Sequence, residues 1–308
     1  MKGNMVILEF LLFPGLLFTA VAGLLTSWVD RKVTALVQMR AGPPFLQPFY
    51  DIRKLLIKET CVPEGGSIGL FLLAPLLGLA AVTLASMILW RTLLDAQATF
   101  VGDLIVLVYL LVIPALAVML GAFASRNPLA SLGGSREVKL MIAYELPLVL
   151  AIVVPVIHAN SIRLGDLLTS HPPVFSLSGL LALLVAICCM QAKLTIVPFD
   201  MPEAETELSG GALIEYSGPP LAMFKITRAM MLFTLPVWLL VLFFGGLVSG
   251  PGWLPVLLGF FVWFVLVAVT IVIRNTTPRV RTDQAVRFFW GPVTVVAAVA
   301  VMLAWIGW

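Results

Sequence analysis

The chain consists of long apolar runs separated by short polar connections. A helix needs roughly 20 mostly apolar residues to span the hydrocarbon layer, and eight runs qualify. None alternates apolar and polar residues as the strands of an outer-membrane barrel do. The pattern predicts an all-α integral membrane protein, a single transmembrane domain over residues 1–308 built as an eight-helix bundle. The runs cover residues 5–28, 67–90, 103–125, 138–158, 174–193, 219–248, 253–273 and 288–308.

Composition excludes a soluble protein. Hydrophobic residues make up 61% of the 308 positions and charged residues 11%, and the mean hydropathy is +1.08. An average soluble domain has far more charge and less apolar surface to bury. We therefore expect a multi-pass protein of the cell inner (cytoplasmic) membrane.

The basic residues fall on alternate connections. Sixteen of the nineteen Lys and Arg lie in the first, third, fifth and seventh connections, and only Lys2, Arg91 and Arg163 lie on the other face. Short cytoplasmic loops carry an excess of Lys and Arg, so this asymmetry predicts that both termini lie outside. It also accounts for the net charge of +3, which gives no reason to expect a nucleic-acid partner.

The cysteines and histidines do not form a metal-binding pattern. Cys188 and Cys189 are adjacent in an apolar run, Cys61 stands in a loop, and His158 and His171 are predicted on the face opposite Cys61. This spacing fits neither zinc nor iron–sulfur ligation, and a free Cys commonly packs as a small hydrophobe. We expect no metal, no cofactor and no catalytic residue in this chain.

The first cytoplasmic connection, residues 29–66, contains a candidate amphipathic helix at 45–58. Gly42-Pro43-Pro44 breaks the chain just before it, because proline cannot continue a helix. A helix of this kind lies at the membrane interface or simply covers the bundle, and the sequence leaves both interpretations open. The expected apolar face is Phe45, Phe49, Ile52 and Leu56, and the expected polar face is Asp51, Lys54 and Lys58.

The fifth connection, residues 194–218, is acidic on an otherwise basic face. Carboxylates crowded near an apolar environment raise one another's pKa, which suits them to taking up and passing on protons. A solvated loop explains the same composition. Placement between apolar runs, with prolines and paired glycines shaping the backbone, favours function. The acidic residues are Asp200, Glu203, Glu205, Glu207 and Glu215.

Two further glutamates lie inside predicted membrane helices. A carboxyl group at such depth usually faces a partner or a wet cavity. Glu145 lies a turn or two into the fourth helix, and Pro147 shortly after it frees backbone groups that a polar pocket must satisfy. Glu9 is nearer the outer interface, where it can reach water. We therefore treat Glu145 as the functional candidate.

The seventh connection is a short charged hairpin. Its Arg279 and Arg281 either anchor the neighbouring helices against lipid headgroups or pair with Asp283 to organise a protein contact. Charge alone does not separate these two interpretations.

Taken together, the connections resemble one family. It is the membrane subunit shared by respiratory complex I, as its subunit 1, and by energy-converting nickel–iron hydrogenases of the formate hydrogenlyase type. The resemblance covers nearly the whole chain, and each motif alone is weak. The motifs are, in order, Asp30-Arg31-Lys32 with Gln38, Arg40, Gly42 and Pro43; Leu46-Gln47-Pro48 with Asp51 and Lys54; Tyr144-Glu145; Pro198-Phe199-Asp200; Pro202-Glu203-Ala204-Glu205 with Glu207; Glu215-Tyr216; and Pro278-Arg279 with Arg281 and Asp283.

The resemblance implies a function by analogy. In this family the subunit holds no redox centre, anchors a soluble arm and carries an acidic path toward ion-pumping membrane subunits. The implied partners are hydrogenase-like large and small iron–sulfur subunits, which would hold the nickel–iron centre and clusters, together with antiporter-like subunits and the lipid bilayer. The implied ion path is Glu145, Asp200, Glu203, Glu205, Glu207 and Glu215, and the implied docking residues are Arg31, Lys32, Arg40, Asp51, Lys54, Arg279, Arg281 and Asp283.

Three functions are compatible with the sequence. The segment 42–48 is short compared with complex I relatives, and Ser-Gly-Gly follows Glu207. Both features are similar to the hydrogenase branch and favour a coupling subunit that links redox chemistry to proton or sodium translocation. The alternative is the quinone-site subunit of complex I or of a related non-hydrogenase reductase. A free-standing secondary transporter is the third, although no internal repeat supports it.

Overall fold

The computed structural model describes residues 8–250 and 252–308, except for the side chains of Glu205 and Thr206. Secondary structure in this part of the chain is helical, as the sequence predicts. The helices are α1 Leu16–Val37, α2 Gln47–Ile57, α3 Ile68–Leu94, α4 Asp103–Ala124, α5 Pro128–Ala159, α6 Leu164–Thr169, α7 Leu177–Lys193, α8 Glu205–Leu208, α9 Gly218–Val248, α10 Trp253–Thr276, α11 Thr282–Phe288 and α12 Thr294–Ile306.

Within the described residues, seven helical stretches are long and apolar enough to cross a membrane. One is Leu8–Val37, which contains α1, and another joins α11 and α12 as Thr282–Ile306. A π-helical turn at Phe289–Val293 links the latter two, where Pro292 cannot donate the usual helical hydrogen bond. The remaining predicted run, α7, has 17 residues. The all-α membrane fold is confirmed, while the count of eight and the topology stay predictions.

Two helix boundaries differ from the sequence prediction. The first run was placed at 5–28, of which residues 5–7 lie outside the described residues. Its helix continues to Val37, so Asp30 lies in α1 instead of in the first connection. The charge is tolerated there because Arg274 of α10 binds the Asp30 carboxylate.

Helix α5 begins ten residues earlier than predicted. Pro128 occupies its first turn, and the Asn127 side chain accepts a hydrogen bond from the Leu129 backbone N–H, which caps the helix. Arg136 and Lys139 therefore lie on a helix and not in a loop. Hydropathy alone missed this first part of the helix because Arg136 and Lys139 are charged. In the structure Arg136 binds Glu207 of the acidic connection.

Helix α9 is the centre of the bundle. It packs against α1, α3 and α10, and it also contacts α2 and the short α6. Large side chains such as Trp238 and Phe243 are fully buried along it. The second half of the bundle consists of α5, α7 and α12, which pack on one another, and α4 joins α3 to α5.

Ion pairs bring the basic connections to one end of the bundle. Arg274 from the seventh connection reaches α1, Arg279 from the same connection reaches Asp200 in the fifth, and Arg136 reaches Glu207. Arg91 lies at the opposite end, 3.4 Å from Glu9. The predicted segregation of charge thus has a structural counterpart.

Close packing of α1 on α9 depends on Gly23. A Cβ atom at this position would lie 2.6 Å from the Ala229 backbone. We expect Gly23→Ala to push the helices apart and to cost about 1–3 kcal/mol, measured as a lower thermal unfolding midpoint in detergent. The matched control is Gly69→Ala on exposed α3 surface, where a Cβ meets nothing within 4 Å. Equal midpoints for the two variants would contradict this account.

Candidate functional site

The most deeply buried ion pair joins Glu145 in the middle of α5 to Lys193 at the end of α7. Lys193 Nζ lies 2.7 Å from Glu145 Oε1, and the Lys193 side chain is 1% exposed. The same ammonium group stands 5.2 Å from the centre of the Tyr144 ring, a cation–π distance. Glu145 thus has the partner that a carboxylate at membrane depth requires.

Glu137 is a candidate that sequence reasoning missed. It lies on α5, two helical turns before Glu145, and is 2% exposed. Its Oε2 atom has no hydrogen-bond partner among the described residues. The prediction had placed Glu137 in a loop, because the fourth helix was expected to start at 138.

The helical spacing of small and apolar residues in the sequence could have identified Glu137 as buried. Small and apolar residues recur every three or four positions, the spacing of one helix face. Glu137 falls on this buried face. The face comprises Ala130, Gly133, Gly134, Glu137, Leu140, Ala143 and Tyr144.

The acidic connection lies directly on α5. A Cβ atom at position 133 would lie 2.5 Å from Ala212 N, so only glycine lets the connection pack this closely on α5. Gly211 takes φ of +59° and turns the connection back toward Pro202, whose carbonyl accepts a hydrogen bond from Ala212 N at 3.2 Å. The paired glycines therefore fix the acidic residues against the helix.

The sequence suggested that the carboxylates of this connection form one crowded cluster. In the structure the described ones have separate partners instead. Asp200 pairs with Arg279 at 2.7 Å, and Glu207 with Arg136 at 2.6 Å. The remaining pairs are Glu203 with Arg228 and Glu215 with Asn127 Nδ2. The Glu205 side chain lies outside the described residues.

Asp200 is the acidic residue of the connection whose environment most clearly favours the protonated form. Burial raises the pKa of Asp200, and the ion pair with Arg279 offsets this only in part. The nearby Glu203 carboxylate adds to the rise. The Asp200 Oδ1 atom has no hydrogen-bond partner among the described residues. Asp200 therefore accepts a proton more readily than an exposed aspartate.

Two cavities meet at the Glu203–Arg228 pair. The first, of about 270 Å³, lies between α4, α5, α7 and α9 and is also lined by Glu137 and Lys193. The second, of about 460 Å³, lies between α1, α2 and the acidic connection and is also lined by Asp200. Ionisable groups thus continue from the bundle interior to its surface.

The second cavity has a charged wall formed by the predicted docking region. Its charged residues come from α1, α2, α9, α10 and the loops around the acidic connection. They are Asp30, Arg31, Asp51, Asp200, Glu203, Lys225, Arg228, Arg274 and Arg279.

The buried face of the amphipathic helix α2 matches the expected one in part, since Phe49 and Ile52 pack on the bundle but Phe45 is exposed. Ile52 packs against Leu24 and Ala229, whereas Leu56 is exposed. Arg31 lies 2.7 Å from Asp51. Although burial raises the pKa of Asp51, the hydrogen bonds from Arg31 and Gln47 prevail and leave it below its usual value.

The other predicted docking residues lie at the surface. Lys32 is half-buried beside Gly42. Arg279 forms an ion pair with Asp200 of the acidic connection. The exposed residues are Arg40, Lys54, Arg279, Arg281 and Asp283.

Comparison with known proteins identifies the family. The model of a family described as NADH dehydrogenase matches residues 9–305. The chain belongs to the NADH dehydrogenase family. The family resemblance drawn from the sequence motifs is therefore confirmed.

Relatives in the NADH dehydrogenase family match over almost the whole chain. An NADH-quinone oxidoreductase subunit of Brevibacillus brevis is 34% identical, covering 96% of this chain and 92% of the relative. The Geobacillus thermodenitrificans subunit of the same name is 35% identical, covering 94% and 91%. A chain from the membrane-bound sulfane sulfur reductase, an archaeal respiratory membrane complex, superposes with a TM-score of 0.84 at 27% identity, covering 97% and 99%.

Asp30 and Arg274 form an ion pair whose loss should be measurable. The Asp30 side chain is 11% exposed, so Arg274→Met leaves a nearly buried carboxylate without its cation. We expect a cost of about 1–3 kcal/mol, measured by thermal unfolding in detergent. The control is Arg31→Met, which breaks the pair with Asp51, where the side chains are 45% and 35% exposed. That change should cost less than about 1 kcal/mol, and an equal or larger loss would contradict the ranking.

Proposed function

We propose that this chain is the membrane-anchoring and coupling subunit of a complex I-like respiratory complex. In this role it links redox chemistry in a soluble arm to proton or sodium translocation in the membrane. Family membership supports the proposal. So do the curated relatives, whose names describe subunits of NADH-quinone oxidoreductases.

The observation that carries the proposal is the succession of ionisable groups from Glu145 to Asp200. Each group is paired or buried, and the Glu203–Arg228 pair lines both cavities. In surroundings of low dielectric, a change in one charge alters the proton affinity of its neighbours strongly. A redox event at the outer end of the series therefore has a physical route into the bundle.

The comparisons support the quinone branch better than the hydrogenase branch. The two relatives described above carry quinone oxidoreductase names, and the solved structure belongs to a sulfane sulfur reductase. We therefore propose a non-hydrogenase respiratory reductase, with quinone as the first candidate acceptor. A hydrogenase-type complex is the second candidate, favoured by the short connection between Val37 and Gln47.

The remaining partners follow from the same proposal. Soluble iron–sulfur and catalytic subunits would dock on the cytoplasmic end, where α2 and the seventh connection present exposed charges such as Lys54 and Arg281. Antiporter-like subunits would sit beside the bundle in the inner membrane. In this proposal the redox cofactors belong to those partners. Among the described residues, no group of three or more His, Cys, Asp or Glu is placed to hold a metal ion.

Replacing Glu145 by Gln tests the coupling role. The amide keeps the shape of the side chain but cannot carry a proton, so we expect ion translocation per electron to fall at least about tenfold. Assembly should be retained. The measurement is acidification or sodium uptake by vesicles containing the purified complex, together with its redox turnover. Glu64→Gln, an exposed inner-face change, should leave the ratio unchanged. Loss of assembly with no separate loss of pumping would favour a structural role.

The electron acceptor of the complex distinguishes the quinone branch of the family from the hydrogenase branch. We expect the complex purified through this chain to reduce a quinone or a sulfur compound and to lack nickel. Hydrogen evolution from a low-potential donor by a nickel-containing complex would establish the hydrogenase candidate instead. Purification of the chain alone, without redox subunits, would overturn the proposed function.

A further inference from the structure

Glu137 is a buried carboxyl group that the proposed path does not use. It faces the 270 Å³ cavity together with Lys193, Glu203 and Arg228. Lys193 is bound to Glu145, and Arg228 to Glu203. Lys225 also lines this cavity, but its side chain is exposed. The buried Lys193 and the half-buried Arg228 are thus both engaged with other carboxylates.

An ionised Glu137 would be a buried negative charge without a cation of its own. Such a charge is costly, and the group avoids the cost by holding its proton. The resting cavity therefore contains two ion pairs and one neutral carboxylic acid. Ionisation becomes favourable only if a neighbouring cation turns from its present partner toward Glu137.

Lys193 is suited to such an exchange. Its ammonium group is a compact charge on a flexible four-carbon stem, and it borders the cavity that Glu137 faces. The cavity, of about 270 Å³, is large enough to hold several water molecules. Glu145 does not line this cavity, but its partner Lys193 does, so water there meets the Glu145–Lys193 pair on its Lys193 side.

We propose that Glu137 is the proton-storing carboxyl of this cavity and that it exchanges its proton with Glu145 as Lys193 moves between them. When Lys193 leaves Glu145, the Glu137 O–H bond breaks, and the proton passes through water to the Glu145 carboxylate, where a new O–H bond forms. Lys193 then pairs with ionised Glu137. The net charge of the cavity is unchanged, so the step needs no external ion or electron.

This inference rests on the proposed coupling function and adds one residue to it. The test uses the purified complex in vesicles, with Glu137→Gln, Glu137→Asp and Glu145→Gln beside the Glu64→Gln control. One readout is translocated ions per electron. The other is the infrared difference spectrum between the reduced and oxidised complex, which reports the protonated carboxyl groups that change during turnover.

We expect Glu137→Gln to retain redox turnover, to lose at least about tenfold in ions per electron, and to lose a protonated-carboxyl signal from the difference spectrum. Glu137→Asp should restore that signal at a shifted position and part of the translocation. If Glu137→Gln fails to assemble, the test rests on Glu137→Asp. A protonated-carboxyl signal at the wild-type position in that variant would overturn the proposal.

Two other outcomes separate the inference from the function on which it rests. If Glu137→Gln keeps the wild-type ratio and spectrum while Glu145→Gln loses translocation, the role of Glu137 is wrong and the coupling function stands. If both variants keep the wild-type ratio, the coupling function itself fails together with the inference.

Discussion

The structure depends on the requirement that charge placed in an apolar bundle must be paired. Removing an ion from water costs several kcal/mol, which a single well-placed partner recovers only in part. This protein meets the requirement by matching residues from distant parts of the chain. Lys193 binds Glu145 across two helices, and Arg274 binds Asp30 between the first and tenth helices. The helices that supply these residues are consequently fixed against one another at the end of the bundle where the candidate path lies.

Hydropathy was sufficient to predict the class of fold and the position of most membrane helices. It failed where polar residues continue a helix, as at Asp30 in α1 and Arg136 in α5, because their charges are neutralised by residues far away in sequence. The same limit applies to the site. The sequence singles out Glu145 from its depth, but the partner at position 193 and the isolation of Glu137 arise from three-dimensional packing. Helical periodicity through Gly133 and Tyr144 was the available local signal for Glu137.

The acidic connection shows how backbone shape determines electrostatics. Composition alone suggests mutual repulsion among its carboxylates, whereas the turn at Gly210-Gly211 and the contact with Gly133 hold the connection where Asp200, Glu203 and Glu207 each meet a different cation. Asp200 and Glu203 are nevertheless close enough to influence each other. The connection therefore combines individually neutralised charges with electrostatic coupling between them, and rearrangement of one pair changes the environment of the next.

Glu203 and Arg228 stand between the two cavities and belong to the walls of both. Arg228 belongs to α9 and Glu203 to the acidic connection, so this ion pair ties the connection to the central helix. A shift of the connection along α9 would therefore change the shape and the charge of both cavities together.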